Sequence, residues 1–120
     1  MKAVRIKEGD KREVFALATG DVPIYEEELF SSLTVDTINK IDSYVEFLSN
    51  ATWPIRNRNV CKKLTGCPNL YELRPKNVRL FFYMVYNNAY ITHGYVKKQN
   101  KTEPEQIRRA LRLKDDGIKE

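Results

Sequence analysis

A chain of 120 residues with 42% hydrophobic side chains and no low-complexity tract has the composition of one ordinary soluble domain, and folding should bury roughly two-thirds of the surface that the unfolded chain exposes. Its longest apolar run, Leu80 to Tyr86, is far too short to cross a bilayer, and the N-terminus lacks the apolar stretch of a signal peptide, so the expected setting is the cytoplasm with no membrane attachment. The net charge of +5 is modest but unevenly spread: residues 1–50 carry six Lys/Arg against ten Asp/Glu, residues 51–101 carry ten against Glu72 alone, and residues 102–120 carry five of each.

In chain order, Lys2 to Ile6 and Glu13 to Ala18 read as strands around an "EGDK" turn. Pro23 then suits the first turn of a helix, with Glu26, Glu27 and Glu28 near its positive end. Tyr25, Leu29, Phe30 and Leu33 fall on one side of it. Thr34 is the expected N-cap of a second helix, whose Val35, Ile38, Ile41, Val45 and Leu48 form an apolar stripe. The short join predicts an antiparallel helical pair. Residues 51–66 are irregular and basic. Three strands follow, Leu70–Arg74, Val78–Tyr86 and Tyr90–Lys97, and the short gaps "PKN" and "NNA" impose an antiparallel meander. Thr102 to Glu105 matches a capping box, so a last helix begins near Pro104, with only Ile107, Ala110 and Leu111 to anchor it. No repeat or second domain is visible, and residues 1–120 read as one domain.

Alternation along the strands places Leu70, Glu72 and Arg74 on one face and Arg79, Phe81, Tyr83 and Val85 together in the next strand. One face of the sheet must cover the helices, which leaves the other for a ligand. Arg74 and Arg79 flank the same turn and can converge on one anion, each with a planar fork of donors that matches phosphate oxygens. Glu72, the one acid of this half-chain, can neutralise only one of them. Ten bases against one acid, Arg56, Arg58, Lys62 and Lys63 among them, are either a solvated sheet face or a footprint that tracks the backbone of a polyanion. Cys61, Cys67 and the lone His93 fall short of a structural zinc set, so no metal or cofactor is expected. His93 is either a half-buried strand residue, sharing a face with Ile91 and Tyr95, or a general acid or base; Glu72 and the tyrosines are other candidate bases.

The run "KKLTGCPNLYELRPKNVRLFFY", followed by "ITHGYVKKQNKTEPEQIRRALRLKDD", resembles the RelE/HigB toxin superfamily, in particular its phage-derived HigB-like branch. The matching pieces are the Leu64–Gly66 step, the Leu70–Arg74 strand, Arg79 opening the next strand, His93–Lys98, and Thr102–Ala110 entering the last helix. Three features depart from the family pattern: some twelve extra N-terminal residues, Tyr95 where phenylalanine is commoner, and an acid at position 72 where classical RelE proteins have lysine.

The resemblance implies an α+β, RelE-like fold: an N-terminal strand or hairpin, two antiparallel helices, a three-stranded antiparallel meander and a C-terminal helix. It implies the toxin of a toxin–antitoxin pair, a metal-independent endoribonuclease that cuts mRNA on the ribosome by 2′-hydroxyl attack. Arg74 and Arg79 would grip the scissile phosphate, and Lys97 and Lys98 would supply further active-site cations. The implied partners are mRNA, the ribosome and a cognate helix-turn-helix antitoxin. Two other readings stand beside it: a ParE-like inhibitor of DNA gyrase that cuts no RNA, and an inactive phage relic that still binds RNA or an antitoxin.

Overall fold

The computed structural model of the chain describes residues 1–98 and 102–118. An N-terminal hairpin, β1 (Lys2–Glu8) and β2 (Glu13–Ala18), leads through α1 (Ile24–Leu29) and a 3-10 turn (Phe30–Ser32) into α2 (Val35–Asn50). Then come β3 (Cys61–Lys63), β4 (Tyr71–Leu73), β5 (Val78–Val85), β6 (Asn88–Val96) and α3 (Pro104–Ile118). The class is α+β, as expected, and β4, β5 and β6 do form an antiparallel meander. That meander is only part of a six-stranded sheet, ordered β1-β2-β6-β5-β4-β3.

Two additions enlarge the sheet. β3 lies inside the stretch read as irregular and pairs antiparallel with β4; three residues are too few to show a period. The N-terminal hairpin joins through β2, which runs parallel to β6 with Val14, Phe15 and Ala16 opposite Ala89, Tyr90 and Ile91. A parallel neighbour so distant in sequence leaves no turn signal to read. β2 is therefore interior, and Ala16, Leu17 and Ala18 are buried.

The helices are less equal than the sequence implied. α1 has six residues and packs chiefly on β6, whereas α2 has sixteen and lies on β1 and β2. Thr34 caps α2 as expected, its Oγ1 accepting from Thr37 N at 3.2 Å, a contact worth about 1 kcal/mol. Ile41, Val45 and Leu48 are buried on the core stripe, but Val35, in the first turn, is exposed.

The largest correction concerns the sheet face carrying Arg79, Phe81 and Tyr83, which alternation left open to solvent. α3 covers most of it. Leu64, Leu70, Phe81, Tyr95 and Ala110 form one cluster with Ile107 and Leu111, and Tyr83, Leu17 and Ile24 another with Leu113. The opposite face holds the main core, where Leu73, Leu80, Phe82 and Ile91 meet Tyr25, Leu29 and the α2 stripe. The unbroken apolar run of β5 is the reason: a strand without alternation must be buried on both sides. Beneath α3 the rings stack in rows, Phe15 on Tyr90 (4.8 Å), Tyr90 on Tyr83 (5.3 Å), and Phe81 on both His93 (5.2 Å) and Tyr95 (5.8 Å).

A bulge sets the aim of these rings. Leu80 pairs with Gly94 but Phe82 pairs with Ile91, so Thr92 and His93 together face Phe81. Ile91 stays with Phe82 on the α2 side while His93 turns under α3, so the two do not share a face as simple alternation implied. A Cβ at Gly94 would sit 2.5 Å from Leu80 Cδ2 and 3.0 Å from the Arg79 carbonyl oxygen, so any larger residue there would make its neighbours shift. Cys61 is buried and Cys67 partly buried, both as free thiols. No helix among the described residues is long and apolar enough to cross a membrane.

Candidate active site

Where α3 leaves the sheet uncovered, a cleft of about 230 Å³ remains. Among the described residues its cations are Lys62, Arg74, Arg79 and Lys97 and its one acid is Glu72, with Leu64, Thr65, Thr102 and Ile107 also in the walls. Strand register explains the gathering. Lys62 pairs with Glu72 across β3 and β4, and Glu72 pairs with Phe81 across β4 and β5, so these side chains share the face that α3 covers. Arg74 follows the last residue of β4 and Arg79 is the second of β5, with the turn between them closed by Val78 N donating to Pro75 O at 3.0 Å. Lys97 follows β6, and its N–H donates to Asn77 O at 2.7 Å, which holds it at the same end of the sheet.

The electrostatics are those of a poorly hydrated anion site. Glu72 is 1% exposed; its Oε2 accepts from the Thr102 hydroxyl at 3.1 Å and its Oε1 lies 3.7 Å from Arg74 Nε. Arg74 Nη1 donates to Arg58 O at 2.9 Å, while its buried Nε has no hydrogen-bond partner. Arg79 is only 7% exposed, and its Nη1 donates to the carbonyls of Lys76 and Val78, both at 2.9 Å. Burial, and then the charge of Arg74, pull the Arg79 pKa below its usual value. Arg79 is therefore not on a wet face: it is a buried cation at the edge of a cleft. Two guanidinium groups and two ammonium groups lining one cleft have the chemistry to bind an oxyanion.

The remaining sequence candidates lie around this cleft. Lys98 is exposed and lines a separate hollow of about 450 Å³ with Glu28, Tyr95, Gln106 and Arg109. Consecutive residues leaving a strand point to opposite sides, so Lys97 and Lys98 part. Lys63 lines another hollow, formed by residues 63–68. Arg56 and Arg58 are exposed in the 51–60 loop, and it is the carbonyl of Arg58 that reaches Arg74. Lys76, between the two arginines in sequence, instead pairs with Asp36 near the start of α2.

His93 resolves toward the bland alternative. It is fully buried, does not line the cleft, and its Nε2–H donates to Gln106 Oε1 of α3 at 2.9 Å. Burial pushes its pKa down to about 4, against the opposing effect of the Gln106 bond, so the ring is neutral at physiological pH. Sequence reasoning missed Thr102, Thr65, Leu64 and Ile107 as cleft walls. Thr102 carried a signal, but a local one: the capping-box pattern directs its hydroxyl to the first helical turn, and the hydroxyl goes to Glu72 instead.

Residues 28–115, from the end of α1 through most of α3, match the family model described as Phage derived protein Gp49-like (DUF891). No curated protein matches the chain. The matched span contains β3 to β6, the cleft residues Lys62, Arg74, Arg79 and Lys97, and Thr102; the β1–β2 hairpin lies outside it. The chain belongs to the Gp49-like family of phage-derived proteins, a family associated with RelE-type, toxin-like proteins.

Proposed function

We propose that this protein is the toxin of a toxin–antitoxin pair and that it cleaves mRNA, engaged by the ribosome, through the Arg74–Arg79 cleft. The observation that carries the reading is the convergence of Lys62, Arg74, Arg79 and Lys97 on one small cleft whose described lining includes a single acid. In the proposed reaction the 2′-hydroxyl upstream of the scissile bond gives up its proton to solvent water, its oxygen attacks phosphorus, and the bond to the 5′-oxygen breaks. The products are a 2′,3′-cyclic phosphate and a 5′-hydroxyl. Negative charge builds on the non-bridging oxygens, where Arg74 and Arg79 stabilise it without a metal. Lys97 stands at the cleft as the proton donor to the departing 5′-oxygen. Arg56, Arg58 and Lys63 hold the flanking backbone electrostatically, and Lys98, outside the cleft, does the same on its other side. The antitoxin is a helix-turn-helix protein with an acidic segment that covers this basic surface, and both act in the cytoplasm.

A second reading, a ParE-like gyrase inhibitor that cuts no RNA, draws on one observation: Arg79 Nη1 is already spent on the Lys76 and Val78 carbonyls and Arg74 is already beside Glu72. Induction in a bacterial host, with mRNA 5′-end mapping beside a gyrase cleavage assay, separates the two. New mRNA 5′ ends within minutes of induction support the nuclease. Gyrase-linked DNA breaks with intact mRNA support the inhibitor. Normal growth with soluble, folded protein refutes both and leaves the inactive relic.

A further inference from the structure

A carboxylate at the floor of an anion site is out of place unless it has work to do there. Glu72 weakens the attraction of the cleft for phosphate, and it is 1% exposed, so water does little to offset its burial. Its two oxygens divide the labour: Oε2 is fixed by the Thr102 hydroxyl, and Oε1 faces Arg74 Nε at 3.7 Å, beyond hydrogen-bond range but close enough to attract the charge. Arg74 is thereby held at two ends, by the Arg58 carbonyl at Nη1 and by the charge of Glu72 at Nε. The buried Nε–H has no hydrogen-bond partner, which is rare for a buried donor. Burial first, and then the charge of Arg74, lower the Arg79 pKa, while the charge of Glu72 opposes them; without Glu72 the two guanidinium groups would repel each other with less compensation.

We infer that Glu72 is a positioning residue: its charge beside the buried Nε holds the Arg74 guanidinium in place at the cleft, so that the exposed part of the group can meet an incoming phosphate oxygen. This rests on the nuclease reading for its rate effect but not for its binding effect. Arg74 is then preorganised, so little reorientation is needed when charge develops on the phosphate. A carboxylate so buried, and already accepting from Thr102, is poorly placed to take the proton of a 2′-hydroxyl itself.

The test is a double-mutant cycle on the full chain, with Glu72→Gln made in wild type and in Arg74→Met. Glutamine keeps the shape and an acceptor for Thr102 but removes the charge. The readouts are the RNA cleavage rate, binding of a 2′-deoxy-substituted oligonucleotide that cannot be cut, and the melting temperature. The expected result is a loss in cleavage rate on the order of a hundredfold for Glu72→Gln in wild type, as for a misplaced catalytic group, and no further loss in Arg74→Met. Equal loss in both backgrounds would mean that Glu72 acts directly on the substrate, and a wild-type rate for Glu72→Gln would mean that it only fills space; either overturns the proposal. If the single variant does not fold, unequal cleavage by Arg74→Met and Glu72→Gln/Arg74→Met still overturns the proposal, which requires the two to cleave alike. If the wild-type protein cuts no RNA, the nuclease reading fails on its own, and the cycle is read from binding: Glu72→Gln must alter it only where Arg74 is present.

Discussion

The hydroxyl of Thr102 donates to Glu72 Oε2 at 3.1 Å and so fastens the entry to α3 to the floor of the cationic cleft. One strand residue and one residue from the far end of the chain thus share a bond that neither local pattern implies. The wall carrying Thr102 and Ile107 closes the cleft against the sheet. A cleft built this way is as stable as the docking of α3. That docking also draws on the His93–Gln106 bond and on the Arg109–Glu28 pair, whose two contacts are 2.8 and 2.5 Å.

Thr102→Val keeps the shape of the side chain and removes the donor. A hydrogen bond to a charged group contributes roughly 1.5–3 kcal/mol, so stability should fall by about that amount. Denaturant unfolding measures it directly. Cleavage per folded molecule should fall as well, because Glu72 loses its anchor; an unchanged rate at reduced stability would show that the bond matters only to the fold.

Arg79→Ala should lose both activity and stability. Two carbonyls lose a donor and a buried side chain is removed, which together cost on the order of 1–3 kcal/mol. Loss of one fixed donor to developing charge costs about a hundred- to a thousandfold in rate. Arg79→Lys should recover part of the stability and little of the rate, because an ammonium lacks the planar fork. Rates corrected for the folded fraction keep the two effects apart, and a near wild-type corrected rate for Arg79→Ala would end the phosphate-gripping role.

His93 makes stability depend on pH, with a sign set by its lowered pKa. Between about pH 6.5 and its folded value of about 4, the unfolded chain binds a proton that the folded chain refuses, so the stability present at neutral pH falls on acidification through that window and levels off below it. The loss between pH 7 and pH 5 should be about 2 kcal/mol. His93→Gln should remove this component while leaving cleavage per folded molecule unchanged at neutral pH. If His93→Gln folds and does not cut, the histidine does chemistry and the assignment is wrong.

The outlying cations should act through the RNA backbone alone. Arg56→Ala and Lys63→Ala should each flatten the plot of log affinity against log salt by roughly 0.7 for single-stranded RNA, with the maximal cleavage rate little changed. Oligonucleotide binding across a salt series reads this out. A drop in maximal rate with the salt slope intact would move that residue into the cleft's chemistry.

By itself, the sequence determined the local elements and the charge of the site. The "EGDK" and "PKN" breaks, the Thr34 cap and the Pro104 start all reappear where short-range rules put them, because caps, turns and side-chain periods depend on neighbours within a few residues. Arg74 and Arg79 flank one turn in any fold that keeps the hairpin. Tertiary structure alone decided that β2 inserts parallel to β6, that three residues at Cys61–Lys63 become an edge strand, and that a bulge at Thr92 and His93 turns the imidazole away from Ile91. It also decided which face stays wet. The continuous apolar run of β5 demanded cover on both sides, and α3 supplied the second cover with few apolar residues of its own. What remained open was the corner beside the start of α3, and there pairing across β3, β4 and β5 brought Lys62 and Glu72 to the two arginines that the turn had already set side by side.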